Sequence, residues 1–173
     1  MIVNKETHKV QKEPKAAKFS VLLIDDDKST HNLVINMLPK AIVKTAVDES
    51  SLLPILNQKN NKFDIIILDY KLGNQNGLGL VGDIKKRFPF TKILLLTAFG
   101  SKSLLVEALE YKLDGYMDKP IKKDVLNQKI NKLIEVITDR RISNISFFNI
   151  ISGIFFILSS RHPNFFLKKI HKR

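Results

Sequence analysis

The sequence contains no cysteine and no tryptophan among its 173 residues. Disulfides, thiolate catalysis and cysteine-ligated zinc or iron–sulfur sites are therefore excluded. The four histidines, at positions 8, 31, 162 and 171, are scattered and do not form a helical metal-ligand pair, so we expect each to be solvated or lightly packed. The first 18 residues lack the apolar core of a signal peptide, and we expect the folded domain to act in the cytoplasm.

Acidic residues are scarce at the ends of the chain. Of the net charge of +12, residues 1–19 and residues 20–138 each contribute +3, and residues 139–173 contribute +6. The basic excess thus belongs to the ends, and we expect no binding of nucleic acid by the folded part. We predict a disordered basic leader over 1–18, one domain over 19–138, and a hydrophobic and basic tail over 139–173.

Three runs of four apolar residues each end on a reactive side chain. Val21–Ile24 precedes Asp25-Asp26-Asp27, Ile65–Leu68 precedes Asp69, and Ile93–Leu96 precedes Thr97. Such runs are typical of parallel strands that are buried on both faces. Five repeats of strand then helix lie between residues 20 and 138, which predicts a doubly wound α/β domain. A shorter strand, Gly115-Tyr116-Met117, precedes Lys119.

The carboxyl ends of parallel strands share one edge of the sheet, where ligands of such folds bind. This arrangement would gather Asp25, Asp26, Asp69, Thr97 and Lys119. Clustered carboxylates favour a hard cation, and magnesium works together with phosphate oxygens. A carboxylate beside the magnesium ion can attack phosphorus as a nucleophile. The Lys119 ammonium and the Thr97 hydroxyl can then contact the phosphoryl oxygens. The sequence therefore predicts a Mg²⁺-dependent phosphoryl site.

Four stretches, VLLIDDDKS, FDIIILDYKLGNQNGL, ILLLTAFG and GYMDKP, resemble the receiver domain of two-component response regulators of the chemotaxis-regulator type. The resemblance covers roughly residues 19–138. It implies a flavodoxin-like, five-stranded parallel sheet of order 2-1-3-4-5. It also implies that Asp69 is the phosphoacceptor. Mg²⁺ would be held directly by Asp26, Asp69 and the backbone carbonyl of Lys71, and by Asp25 through a bound water.

The same resemblance assigns the switch. Lys119 would pair with the phosphoryl group, Thr97 would move toward it, and Tyr116 would turn inward. The Lys119-Pro120 bond is a candidate for the cis form. The implied partners are a sensor histidine kinase or phosphotransfer protein, and a downstream protein that docks on the face formed by residues 101–137.

Several residues depart from the common pattern of the family. Gly73 stands where proline is frequent, and Asn76 stands where aspartate often precedes the glycine. Phe99 would lie at the rim of the site and hinder an attacking water molecule. We therefore expect the phosphorylated protein to lose its phosphate slowly. Asp27 lies outside the matched acidic pair, and we expect it to cap the helix that starts at Lys28.

Two other interpretations stay open at this stage. A haloacid-dehalogenase-like Mg²⁺ phosphatase would use Asp25 as its nucleophile, with the Asp-x-Asp arrangement, the ILLLT strand and Lys119. That family needs a later acidic pair at a strand end, whereas only Asp124, Glu135 and Asp139 follow Lys119 here. Alternatively, the chain is a degenerate receiver that acts only as a docking module.

The tail contains an uncharged stretch of 19 residues, 142–160, between Arg140-Arg141 and Arg161. As a helix it would span about 28 Å, close to the hydrocarbon thickness of a bilayer. Its serines and asparagines, with basic residues on both sides, favour a membrane surface over a span for residues 142–173. Alternatively, the tail packs on its own domain or on a second copy of the chain, as a homodimer. A further alternative is that the tail is an accidental extension that replaces a lost output module.

Overall fold

The computed structural model describes residues 19–98 and 102–161. The predicted leader and residues 162–173 lie outside this range, as does Phe99. Five strands alternate with five helices along the chain. The strands are β1 (Phe19–Ile24), β2 (Ala41–Ala46), β3 (Ile65–Asp69), β4 (Lys92–Thr97) and β5 (Gly115–Asp118). The helices are α1 (Lys28–Met37), α2 (Glu49–Asn57), α3 (Val81–Arg87), α4 (Lys102–Glu110) and α5 (Lys123–Arg161).

The five strands form one parallel sheet in the order β2-β1-β3-β4-β5, which confirms the predicted flavodoxin-like fold. The three apolar runs occupy the central strands, and their side chains are 0% exposed. Ala41–Ala46 mixes polar and apolar residues and forms β2 at the edge of the sheet, where three of its six residues are exposed. Burial on both faces thus separates central from edge strands, as the sequence pattern indicates.

Capping residues define where the first two helices begin. Asp27 accepts a hydrogen bond from the Ser29 N–H at 2.8 Å, so the predicted cap of α1 is confirmed. Helix α2 starts at Glu49, because Asp48 forms a reciprocal capping box with Ser51. With its N-cap at Asp48, the helix has Pro54 in its interior rather than in its first turn.

A short connection carries the chain from β3 to α3. Lys71–Leu72 and Gln75–Asn76 pair as a two-residue antiparallel ribbon, and Gly77–Leu80 forms a 3₁₀ turn that leads into α3. Four apolar side chains from the 3₁₀ turn to the residue after α3 are buried, namely Leu78, Val81, Ile84 and Phe88. The ribbon is anchored under the carboxyl end of β3 because the Gly77 N–H donates to the Tyr70 carbonyl at 2.7 Å.

The chain divides into two compact units, residues 1–129 and residues 130–173. The first contains the sheet, α1 to α4 and the first turns of α5. The second contains the remainder of α5, a helix of 39 residues that continues without a break to Arg161. The predicted boundary after residue 138 therefore falls inside a helix. In the part of the chain that the structure describes, none of the helices combines the length and hydropathy needed to cross a bilayer.

Candidate functional site

Three carboxylates meet at the carboxyl edge of the sheet. Asp25 follows β1 and is 0% exposed, Asp69 ends β3 and is 4% exposed, and Asp26 faces solvent. One carboxylate oxygen from each lies within 4.8 Å of the other two, which is close enough to hold one metal ion. The register of the sheet explains the meeting, because Ile24 pairs with Leu68, one residue before Asp25 and Asp69 respectively.

Lys119 reaches into this cluster from the end of β5. Its ammonium donates to Asp25 Oδ2 at 2.8 Å and to Asp69 Oδ2 at 2.7 Å. Its backbone N–H donates to the Thr97 carbonyl at 2.7 Å, which fixes the chain beside β4. The Lys119-Pro120 peptide bond is cis, as the sequence resemblance implies.

Burial and charge perturb the titration of both partners. Burial raises the pKa of the Asp69 carboxyl, and the charge of Asp25 raises it further; hydrogen bonding to Lys119 opposes both effects only in part. Burial disfavours the charged form of Lys119, but hydrogen bonds to Asp25 and Asp69 outweigh it and raise its pKa. The lysine therefore stays positively charged, and the Asp69 carboxylate is held in an environment that disfavours its negative charge.

The donor set fits a divalent cation. Three carboxylates face a single ammonium, so these four groups carry a net negative charge when all are ionised. The raised pKa of Asp69 comes first from burial, and the nearby charge of Asp25 adds to it. Oxygen ligands of this kind suit magnesium or calcium. Lys71 lies beside them, with its N–H 3.3 Å from Asp69 Oδ1, while the role of its carbonyl as a ligand remains a prediction.

Thr97 and Tyr116, the predicted switch residues, lie on neighbouring strands. Thr97 ends β4 and is 0% exposed, and β4 pairs Leu96 with Asp69, so Thr97 is one residue past the position opposite Asp69. Tyr116 on β5 pairs with Leu95. Tyr116 as a residue is 40% exposed, and the Lys129 ammonium lies 5.3 Å from the centroid of its ring, so the side chain is oriented outward.

The departures at Gly73 and Asn76 have structural explanations. Gly73 adopts φ +59° and donates its N–H to Asp26 Oδ2 at 3.0 Å, whereas proline has neither this conformation nor an N–H. The Asn76 side-chain oxygen accepts from the Leu78 N–H at 2.9 Å, and its amide donates to Glu107 Oε1 at 3.3 Å. Aspartate could cap the turn in the same way but could not donate to Glu107.

Sequence reasoning missed two supporting residues. His31 is only 7% exposed, and its Nε2 donates to the Asp25 carbonyl at 2.7 Å, so the expectation of a solvated or lightly packed side chain was wrong here. Its helical spacing from Val34, also buried, was the available signal. Gly77 is buried against Asp69, and a Cβ at this position would overlap the Asp69 carbonyl oxygen. The Asn76-Gly77 pair indicated a turn in the sequence, but it did not indicate that Gly77 lies against the Asp69 backbone.

The acidic residues that follow Lys119 do not extend the cluster. Asp124, Glu135 and Asp139 lie on α5 and are exposed. Among the described residues, the cluster able to hold a metal is that of Asp25, Asp26 and Asp69. The later acidic pair that a haloacid-dehalogenase-like phosphatase requires at a strand end is thus not found in the described ranges, 19–98 and 102–161.

Fold and site together define a flavodoxin-like α/β domain with a carboxylate cluster at the carboxyl edge of its sheet, and comparison with known proteins identifies the family. The model of the response regulator receiver domain matches residues 21–131. The chain therefore belongs to the response regulator receiver family and to two-component signalling.

Relatives of two lengths share this domain. The chain is 28% identical over 120 residues to the chemotaxis protein CheY of Pseudomonas aeruginosa, covering 66% of this chain and 95% of CheY. It is 30% identical over 124 residues to the putative response regulator NtrX-like of Rickettsia felis, covering 69% of this chain but 26% of that protein. A solved response regulator from Thermotoga maritima is 28% identical with a TM-score of 0.62, covering 68% of this chain and 98% of that one. The chain thus spans about a quarter of its longer relatives.

Proposed function

We propose that the protein accepts a phosphoryl group on Asp69 from a phosphohistidine donor, a sensor histidine kinase or a phosphotransfer protein, in a magnesium-dependent reaction. The observation that carries this proposal is the convergence of Lys119 on both Asp69 and Asp25 within the three-carboxylate cluster. Because such donors draw on ATP, we propose the cytoplasm as the place where the domain acts.

The residues of the chain divide the work of the transfer. A carboxylate oxygen of Asp69 forms a bond to phosphorus as the phosphorus–nitrogen bond of phosphohistidine breaks, and the histidine nitrogen leaves with that electron pair. Bound Mg²⁺, held by Asp26, Asp69 and the Lys71 carbonyl and through water by Asp25, would neutralise charge on the phosphoryl oxygens. Lys119 already lies 2.7 Å from Asp69 Oδ2, so its ammonium can move from the carboxylate to the new phosphoryl group.

Phosphorylation would then change the surface around β5. Lys119, which contacts the phosphoacceptor, also lines a groove of about 350 Å³ together with Tyr116, Pro120, Lys122, Val125 and Lys129. Withdrawal of Lys119 or of Thr97 toward a phosphoryl group would alter the wall of this groove and the orientation of Tyr116. Val106 and Leu109 are further exposed apolar side chains, on α4, the helix that precedes β5 in the chain. We propose that a downstream protein docks here.

The protein is, on this proposal, a switch rather than a turnover enzyme. Its own chemistry is limited to taking a phosphoryl group and losing it again to water.

Incubation of the full chain with a small phosphodonor and Mg²⁺ tests the proposal. We expect one covalent phosphate, detected by intact mass, that is abolished in Asp69→Asn and by chelation of the metal. Asp83→Asn is the matched control, because Asp83 is an exposed carboxylate of α3 that forms a surface salt bridge with Lys86. Steady release of phosphate from external phosphomonoesters that requires Asp25 would instead indicate a phosphatase. Absence of covalent phosphate under all conditions would indicate a docking module.

A further inference from the structure

The distal half of α5 presents large apolar side chains to solvent. Ile142, Ile145 and Phe148 follow each other at intervals of three residues and are 56%, 60% and 70% exposed. Single exposed apolar residues are ordinary on protein surfaces, whereas three on successive turns make a contiguous patch. The helix backbone continues beyond them to Arg161. This patch lies wholly in the second compact unit, residues 130–173.

The charge of the same region has one sign. Residues 140–173 contain seven basic residues and no acidic residue. Arg140 and Arg141 immediately precede the patch and are exposed. The stretch that follows, residues 142–160, is uncharged. The uncharged stretch 142–160 thus has basic residues at both of its ends, Arg140 and Arg141 before it and Arg161 after it, where they can meet the headgroups of an anionic membrane.

We infer that α5 beyond Asp139 binds the surface of an anionic lipid bilayer, with Ile142, Ile145 and Phe148 entering the interface and the arginines facing lipid phosphates. Charge complementarity selects this occupant. Two copies packed side by side would bring two segments of +7 together, which opposes a dimer at ordinary ionic strength. A negatively charged leaflet attracts the same residues, and each contributes favourably near the surface.

The composition of the uncharged stretch fits a shallow position. Five serines, two asparagines and one glycine occur among its 19 residues. Their side chains keep hydrogen bonds to water and headgroups at the interface, which the hydrocarbon core would not provide. Arginine stems can cover apolar surface while the guanidinium groups stay at the phosphates. The inference does not depend on phosphorylation of Asp69.

Co-sedimentation of the full chain with lipid vesicles tests this inference. We expect binding to phosphatidylcholine vesicles that contain about one third phosphatidylglycerol, at least about tenfold stronger than to pure phosphatidylcholine, and weakened by roughly 0.5 M salt. Phe148→Ser should weaken the partition about tenfold, as expected for the loss of one buried aromatic side chain. Phe90→Ser is the matched control, because Phe90 is 74% exposed, is also a phenylalanine and lies in the first compact unit, outside the patch.

Three outcomes would overturn the inference. The first is equal affinity for neutral and anionic vesicles, and the second is no binding to either. The third is a stable dimer, measured by light scattering without lipid, that Phe148→Ser dissociates while vesicle binding is absent; the patch would then belong to a second copy. Because the substituted side chains are exposed, circular dichroism should show unchanged helix content in every variant.

Discussion

Gly77 allows the loop that follows Asp69 to close against β3, and Gly77→Ala should disrupt that closure. The Gly77 N–H donates to the Tyr70 carbonyl at 2.7 Å, which brings its α-carbon against the Asp69 backbone. A β-carbon added there would overlap the Asp69 carbonyl oxygen and lie 3.2 Å from the Asp69 carbonyl carbon. Both neighbours are backbone atoms, so no side chain can rotate away.

The size of the effect follows from the displacement that the overlap demands. A carbon atom and a carbonyl oxygen need a separation of roughly 3.3 Å, so the loop and the end of β3 must move apart by about 1 Å. Overpacking of this kind costs about 1–3 kcal/mol of unfolding free energy. A displacement of about 1 Å at a reacting group can lower a rate about 100-fold. We therefore expect a moderate loss of stability and a large loss of phosphorylation rate.

The assay compares the initial rate of phosphorylation by a small phosphodonor with Mg²⁺, and urea denaturation of the same samples. Gly82→Ala is the matched control, because nothing lies within 4 Å of a β-carbon at that position in α3. Alanine in the helix should raise the unfolding free energy by about 0.5–1 kcal/mol and leave the rate unchanged. A Gly77→Ala protein that is phosphorylated within about threefold of the wild-type rate would refute the reasoning.

Three further predictions concern the site and its supports. Lys119→Met should lower the unfolding free energy of the metal-free protein at neutral pH by about 2–3 kcal/mol. The carboxylates of Asp25 and Asp69 lose the cation that they share, while partial solvation of the site limits the cost. Chemical denaturation measures the unfolding free energy, and an unchanged value would contradict the ion-pair account. Because the pKa of Asp69 is raised in the fold, its carboxylate destabilises the metal-free protein at neutral pH. Asp69→Asn should therefore be the more stable protein there, and its advantage should vanish as pH falls through the raised pKa toward 3.8; an advantage that grows on acidification would reverse the sign. Gly73→Pro should weaken Mg²⁺ binding, measured by calorimetry, more than Gly73→Ala does, because only proline removes the donor to Asp26.

The three central strands of this protein could be located from the sequence because their signal is local. Continuous apolar runs of four residues have few alternatives to a central parallel strand, and the structure buries all three completely. The cap at Asp27 was also a local matter, decided within two residues by the hydrogen bond to Ser29. Helix α5 was harder, since no capping signal separates residue 138 from the uncharged stretch, and the helix runs on to Arg161.

His31 and Gly77 show where local signals failed. The sequence presents His31 as one of four scattered histidines, yet the packing of α1 against β1 brings its ring to the Asp25 carbonyl. Gly77 reads as an ordinary turn glycine until the ribbon folds back onto β3. Both roles depend on how a helix or loop docks onto the sheet, which residue type and spacing do not specify.

The reactive groups and their common location could be predicted from the sequence. Parallel strands end at one edge of their sheet, and each of four reactive residues ends or directly follows a strand, namely Asp25, Asp69, Thr97 and Lys119. Only the tertiary structure decided the electrostatics of that edge. Lys119 pairs with Asp25 and Asp69 across 94 and 50 residues of chain, and burial of Asp69 beside Asp25 raises its pKa. These effects arise from distances between charges and from exclusion of water, and both exist only once the strands lie side by side.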